Sequence, residues 1–170
     1  MNSTIELQNL FDDGRYELMN GNFEKGIEYF SELLRQDPDN KLALISRGSA
    51  FLKVNSIGEA VKDFDRAIGI DPNYARAYHL RGIAREKEGD NQSALDDFSK
   101  AIEFDPEYGA AYYSRATLLT KMKKEDEAIE DIQMVQHLTS KNIETFANEN
   151  NVWRSQQLKL ESVLESELER

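Results

Sequence analysis

The chain of 170 residues contains no cysteine, only three prolines and only two histidines. Without cysteine it can form neither a disulfide nor a thiolate–metal site. His79 and His137 lie far apart in the sequence, and neither has a second histidine at a metal-ligand spacing. No apolar run approaches the ~20 residues that a membrane-spanning helix needs. These absences predict a protein with no metal site, no cofactor and no membrane span.

Acidic residues are in excess, with 32 aspartates and glutamates against 21 lysines and arginines and a formal net charge of −11. Such a charge repels nucleic acid and anionic lipid, whereas a nucleic-acid-binding protein is normally basic. The sequence also has no phosphate-binding glycine loop and no nucleophile elbow. The first six residues, MNSTIE, lack the basic and apolar regions of a signal peptide. We therefore expect a cytoplasmic protein that is not an enzyme and has no nucleic-acid partner.

Each proline follows an aspartate, and the three Asp-Pro steps recur at one constant interval, at 37–38, 71–72 and 105–106. A fixed period of this length indicates stacked supersecondary units. Between successive prolines, apolar residues follow helical spacing in two stretches, which a turn at Asn55 and Ser56 separates in the second unit. The residue before proline avoids the helical region, so each Asp-Pro step predicts a helix end. One unit is thus a pair of short amphipathic helices.

A small residue recurs at one place on each helix of a pair, and a large apolar residue recurs beside them. In the second unit these residues are Gly48, Ala60 and Phe64. The corresponding residues in the other units are Gly14, Gly26 and Phe30; Gly82, Ala94 and Phe98; and Ala116, Ala128 and Ile132. The small residues would let the two antiparallel helices approach closely, with the large residue filling the space beside them.

These residues resemble the tetratricopeptide repeat family, because period, small residues, phenylalanine and proline all fall in register. The resemblance implies an all-α fold, a right-handed α-solenoid of tetratricopeptide helix-turn-helix repeats. Four copies are expected within residues 1–142, at about 7–40, 41–74, 75–108 and 109–142. The fourth copy has Ser140 where proline would stand, as expected if the array ends there and a further helix follows.

The tail over residues 143–170 is similar to the extra helix that caps such arrays. Its apolar stripe consists of Ile143, Phe146, Trp153, Leu160, Leu164 and Leu168. Phe146 and Trp153 would cover the fourth repeat, while the part beyond Gln157 would overhang it. The overhanging leucine stripe then needs a partner, which leaves a homodimer open. Alternatively, the weak helix formers Asn148, Asn150 and Asn151 break the segment so that it folds back.

A second recurrence pairs an arginine with an aspartate at a constant spacing. The pairs are Arg47 with Asp63, Arg81 with Asp97, and Arg115 with Asp131. On a helical hairpin this spacing places both groups at similar height, where they can form a bidentate ion pair. The arginines could instead form a ladder for anionic ligands. The structural interpretation is favoured because every arginine has its own aspartate.

The resemblance places the first helices along a concave face that binds partners. Its expected peptide-binding residues are Arg15, Leu18, Ile45, Ser49, Leu52, Lys53, Arg76, His79, Leu80, Ile83, Lys87, Tyr113, Thr117 and Lys121. The wider lining adds Phe11, Asp12, Met19, Leu42, Ser46, Glu86, Ala110, Ser114 and Thr120. Cations outnumber anions in this lining, opposite to the protein as a whole. This indicates a protein or peptide partner with acidic charge and apolar anchors, although solvated helix positions would give the same pattern.

Chaperone-adaptor members of the family hold a terminal carboxylate with a clamp of lysine, asparagine, asparagine, lysine and arginine. In this chain the clamp positions hold Phe11, Arg15, Ser46, Arg76 and Leu80, or, starting one copy later, Ile45, Ser49, Leu80, Ala110 and Ser114. The clamp is therefore absent. The sequence predicts a non-enzymatic interaction scaffold that holds a peptide along its length. Two alternatives remain: a regulatory or targeting domain of a larger enzyme, and a structural unit that self-assembles through its C-terminal helix.

Overall fold

A computed structural model describes residues 2–142 and residue 145. The helices are α1 (Asn2–Met19), α2 (Phe23–Gln36), α3 (Lys41–Lys53), α4 (Ile57–Ile70), α5 (Ala75–Glu88), α6 (Asn91–Phe104) and α7 (Gly109–Lys121). An eighth helix, α8, begins at residue 125 and continues through 142. No strand occurs in this described part, so the predicted all-α helical repeat fold is confirmed. The predicted cap over 143–170 and its overhang lie outside the described residues, apart from the helical residue 145.

The turn inside each helical pair uses one residue in the left-handed region, and this residue recurs with the same period as the prolines. These residues are Gly21, Asn55, Gly89 and Lys123. After each, an amide donates to the carbonyl five residues earlier, as Ser56 does to Phe51 at 2.8 Å. This bond satisfies a carbonyl that the end of the first helix leaves open. Glycine and asparagine adopt this conformation readily, whereas Lys123 adopts it at a cost of about 1–2 kcal/mol.

The Asp-Pro steps end α2, α4 and α6, since Asp37, Asp71 and Asp105 are their C-cap residues. The helix that follows the first step is capped by Asn40, whose side chain accepts a hydrogen bond from the Ala43 amide at 3.0 Å. Without such a proline, α8 runs on past the length of α2, α4 and α6. The sequence correctly indicated that proline sets these ends.

The core is built where the small residues meet the large ones. Phe30, Phe64 and Phe98 are fully buried. A Cβ atom added to Gly48 would lie 2.6 Å from the Phe64 ring, and one added to Gly82 would lie 2.6 Å from the Phe98 ring. The helices are therefore as close as glycine allows. Ile132 departs from the prediction for the fourth copy, because it is 45% exposed and does not fill the corresponding space.

Gly82→Ala should destabilise the protein by about 1–3 kcal/mol, because the added methyl group must displace the Phe98 ring in a closely packed core. Gly69→Ala is the matched control, since Gly69 is also in a helix and a Cβ there meets nothing within 4 Å. That change should stabilise by roughly 0.5–1 kcal/mol. Urea unfolding of both variants measures the difference. If both changes stabilise equally, glycine does not set the helix separation.

Candidate functional site

The first helices of the pairs form a continuous inner face. α1 contacts α3, α3 contacts α5 and α5 contacts α7, whereas within the described residues α2, α4 and α6 do not contact one another. Closer packing on the side of the first helices makes that side concave. A groove of about 440 Å³ opens there between α1, α3 and α5. It is lined by Phe11, Arg15, Leu18, Met19, Leu42, Ile45, Ser46, Ser49 and Arg76.

The groove carries two arginines that have no acceptor in the part of the chain that the structure describes. Across residues 4–142, Arg15 and Arg76 are the arginines with no hydrogen bond or salt bridge to an acceptor. Arg15 lies over the ring of Phe11, with its guanidinium carbon 5.9 Å from the ring centre. That cation–π contact orients the guanidinium without consuming its donors. Both arginines can therefore donate to an incoming anion.

Apolar side chains stand open beside these arginines. Met19 is 82% exposed and Leu42 is 52% exposed. Ser49 is a weaker candidate for a ligand contact, because its hydroxyl donates to the Ile45 carbonyl of its own helix at 2.7 Å. The groove thus offers cationic donors next to accessible apolar surface, an arrangement suited to a segment with both kinds of side chain.

Five of the predicted binding residues line this groove: Arg15, Leu18, Ile45, Ser49 and Arg76. The remaining predicted residues lie elsewhere on the first helices. Leu52 and Leu80 pack against the main core, and Ile83 packs against a second core cluster. Lys53, Lys87 and Tyr113 are exposed outside the groove, and the Thr117 hydroxyl donates to the Tyr113 carbonyl.

Burial or pairing changes what three of the predicted residues can offer a ligand. Ile45 is only 2% exposed, so it forms the floor of the groove and is not an anchor site that a ligand can grasp. Lys121 is paired with Glu86, which offsets its charge. His79 is 7% exposed and lies between repeats, where it is surrounded by protein. Sequence spacing assigned these side chains to a helix face, but their exposure depends on the neighbouring helices.

Both ring nitrogens of His79 lie within hydrogen-bond distance of a hydroxyl group. Nδ1 lies 3.0 Å from the Tyr108 hydroxyl, and Nε2 lies 2.9 Å from the Ser114 hydroxyl. Burial lowers the pKa of His79 to about 4, and the nearby charge of Arg76 contributes in the same direction. The ring is therefore neutral at physiological pH and joins α5 to the N-cap residue of α7 and to α7 itself.

A second cavity, of about 310 Å³, adjoins the groove. It was not predicted from the sequence. It is lined by Asn73, Tyr74, Ala75, Arg76, Phe104, Asp105 and Tyr108. Arg76 is common to both cavities. The sequence does carry one indication of this cavity, because two of its lining residues, Tyr74 and Tyr108, each lie two residues after a proline.

The described residues hold no group of three His, Asp or Glu side chains that could bind a metal ion. Nor is any helix among them both long and apolar enough to cross a membrane.

Comparison with known families decides the classification. Tetratricopeptide repeat descriptions match residues 11–75, 75–108 and 98–130. The chain belongs to the tetratricopeptide repeat family. Members of this family are generally non-enzymatic protein-interaction modules.

Solved structures of tetratricopeptide repeat proteins share the fold. MamA from Desulfovibrio magneticus RS-1 superposes with a TM-score of 0.72 at 21% identity, over 79% of this chain and 76% of that one. The Sgt2 domain from Aspergillus fumigatus gives 0.67 at 24% identity, over 71% and 82%. The first domain of Spaghetti (RPAP3), bound to the HSP90 peptide SRMEEVD, gives 0.65 at 21%, over 69% and 93%. No curated protein sequence matches significantly.

In this tetratricopeptide array the periodic arginines are all engaged by the protein. Nε and Nη2 of Arg81 donate to the two carboxylate oxygens of Asp97 at 2.9 and 2.7 Å. Arg47 and Arg115 make the same bidentate contacts with Asp63 and Asp131. The structure therefore brings the members of each predicted pair together. All three aspartates are buried.

The third donor of each arginine reaches back to the preceding repeat. Nη1 of Arg47 donates to the Ser31 hydroxyl at 3.0 Å, and Nη1 of Arg81 donates to the Asp65 carboxylate at 2.7 Å. Nη1 of Arg115 donates to the Ser99 hydroxyl at 3.0 Å. Each guanidinium thus joins three helices. Each of these acceptors lies 16 residues before its arginine, and each paired aspartate lies 16 residues after it. The second spacing was predicted from the sequence and the first was not. With their donors occupied, these arginines are structural and not a ladder for an anionic ligand.

Asp97→Leu should destabilise the protein by about 3–5 kcal/mol, because it removes the buried carboxylate to which both Arg81 and Arg85 donate. Asp65→Leu removes the exposed acceptor of Arg81 and should cost about 1 kcal/mol or less. Urea unfolding measures both. A double-mutant cycle of Arg81→Leu with Asp97→Leu should show positive coupling, and additive effects would contradict the pairing energy.

His79 should make stability pH-dependent. The unfolded state binds a proton near the ordinary pKa of 6.5, but the folded state does so only near 4. Stability should therefore fall as pH decreases through this window, by about 2–3 kcal/mol from this group. His79→Gln should remove that part of the slope in urea unfolding at pH 7, 6, 5 and 4. Equal slopes in the parent protein and in His79→Gln would contradict the assignment.

Proposed function

We propose that this protein is an interaction scaffold that binds a segment of a partner protein in the groove between α1, α3 and α5. The observation that carries the proposal is the presence of Arg15 and Arg76, without acceptors in the described part of the chain, beside exposed Met19 and Leu42. The protein around them has a net charge of −11. Such a local reversal of sign selects partners by charge.

The preferred segment is acidic and has apolar anchors. Carboxylates would accept hydrogen bonds from the two guanidinium groups, and such charge-assisted bonds are stronger than neutral ones. Apolar side chains of the segment would pack on Met19 and Leu42. Because the segment loses conformational freedom on binding, we expect modest affinity, with Kd near about 1 μM and a free energy of about −8 kcal/mol.

Related folds support peptide binding without identifying the peptide. The Spaghetti (RPAP3) domain that superposes on this chain is bound to an HSP90 peptide. The places of the chaperone-tail clamp hold other residues here, including Phe11 and Leu80. We therefore expect the partner segment to be held by internal acidic side chains and not by a terminal carboxylate.

Self-assembly is a second candidate function, favoured by apolar exposure on α8. Ile129, Ile132 and Met134 are exposed there. A second copy could cover them, as could the tail that the sequence analysis predicts as a cap. Light scattering over a range of protein concentrations distinguishes an assembling unit, whose mass rises, from a monomeric scaffold, whose mass is constant.

Random peptides displayed on phage and selected on the immobilised protein should be enriched in acidic and apolar residues. Arg15→Glu with Arg76→Glu should weaken the selected peptides at least about tenfold in fluorescence polarisation, a loss of about 1.4 kcal/mol. Lys62→Glu with Lys100→Glu makes the same change in net charge on α4 and α6 and should have little effect. Equal losses from both double variants would mean that the groove is not the site.

The buried histidine supplies an independent readout of the same event. The charge of Arg76 contributes to the low pKa of His79, so a carboxylate bound at Arg76 should raise that pKa. The His79 ring resonances can be followed by NMR through a pH titration, with and without a selected peptide. Binding that leaves the His79 titration unchanged would indicate a site away from Arg76.

A further inference from the structure

The end of the chain has the composition that the groove requires. Residues 158–170 carry four glutamates against one lysine and one arginine, together with four leucines and a valine. In helical register, Leu160, Leu164 and Leu168 form one stripe. Glu161 and Glu165 each follow a leucine of this stripe and are one turn apart. The segment therefore joins an apolar stripe to a row of carboxylates, as in helices that dock into grooves.

We propose that the groove is occupied by the chain's own segment 158–170, which acts as a resident ligand that partner segments must displace. This proposal rests on the proposed function, because it assigns an occupant to the same groove. Glu161 and Glu165 pair with Arg15 and Arg76, and the leucines cover Met19 and Leu42. The charges are complementary, since the two arginines of the groove meet two carboxylates that share one face of the segment.

The segment can reach the groove within one molecule. Residues 146–157 separate it from helical residue 145, and about 12 extended residues span up to about 40 Å. α8 is bonded to α7 through Arg115 and Asp131, and α7 contacts α5. With neighbouring helices roughly 8–10 Å apart, α8 is separated by about 20 Å from α5 and by up to about 40 Å from α1, which the linker can still span. A tethered ligand also has an effective concentration in the millimolar range, which favours its own groove over that of a second copy.

Cysteine trapping in the full chain tests this contact, because the chain has no cysteine of its own. Met19→Cys with Leu164→Cys should form a disulfide within one chain on mild oxidation of dilute protein. Lys62→Cys with Leu164→Cys is the control, since Lys62 is exposed on α4. The first pair should react at least about tenfold faster than the control, because docking concentrates the segment at the groove. Leu42→Cys replaces Met19→Cys if that variant fails to melt like the parent.

Charge reversal separates docking from chance collision. Adding Arg15→Glu and Arg76→Glu to the first cysteine pair should slow trapping to the rate of the control. Equal rates for the two cysteine pairs, trapping that is insensitive to these reversals, or a disulfide-linked dimer would each overturn the proposal. The dimer would assign the groove to a second copy of the chain.

Peptide binding distinguishes failure of this proposal from failure of the proposed function. Glu161→Lys with Glu165→Lys in the full chain should tighten a phage-selected peptide by about tenfold, since an intramolecular competitor has been removed. The oxidised Met19→Cys, Leu164→Cys protein should lose that peptide, and reduction should restore binding. Groove-dependent peptide binding without trapping overturns the resident segment and leaves the scaffold function standing. Trapping with no selectable peptide, even after Glu161→Lys and Glu165→Lys, overturns the scaffold function and the competition with partners, and leaves the docked segment as an intramolecular contact.

Discussion

The array depends on one contact, the approach of a phenylalanine ring on the second helix of a pair to a glycine on the first. A Cβ atom added to Gly48 or Gly82 would lie only 2.6 Å from the facing ring, so any larger residue there must displace the phenylalanine. The two helices of a pair are therefore as close as glycine allows. The fourth pair has a different combination, with Ala116 in place of glycine and Ile132 in place of phenylalanine, and Ile132 is 45% exposed.

The arginine–aspartate pairs add hydrogen bonds to this packing and orient each helical pair relative to the preceding repeat. A guanidinium has three nitrogen groups in a fixed plane, and here two of them hold the partner helix while the third holds the preceding repeat. A glycine–phenylalanine contact alone would hold one pair together but would not orient it on the next. Apolar surfaces slide at low cost, whereas a bidentate ion pair tolerates little change in angle. The periodic arginine thus fixes the register between repeats.

Most of the fold could be predicted from the sequence because its determinants are local and repeated. Asp-Pro steps end helices, glycine or asparagine turns the chain, and both signals recur with one common period. Burial was harder to predict. His79 and Ile45 lie on the first helices as expected, but neighbouring helices enclose them, and no periodicity within one helix reports that. Salt bridges such as that of Lys121 with Glu86 join residues of different repeats and change the charge that a ligand meets.

The two groove arginines differ from the structural ones in that they break the period. Positions equivalent to Arg15 hold Ser49, Ile83 and Thr117, and those equivalent to Arg76 hold Gln8, Leu42 and Ala110. A residue that each junction between successive repeats needs must recur, as Arg47, Arg81 and Arg115 do, and its donors are then used by the array. An arginine that occurs once contributes nothing that the other repeats require. Its charge remains available, so in a repeat protein a non-periodic, unpaired cation on the inner face is the stronger indication of a binding site.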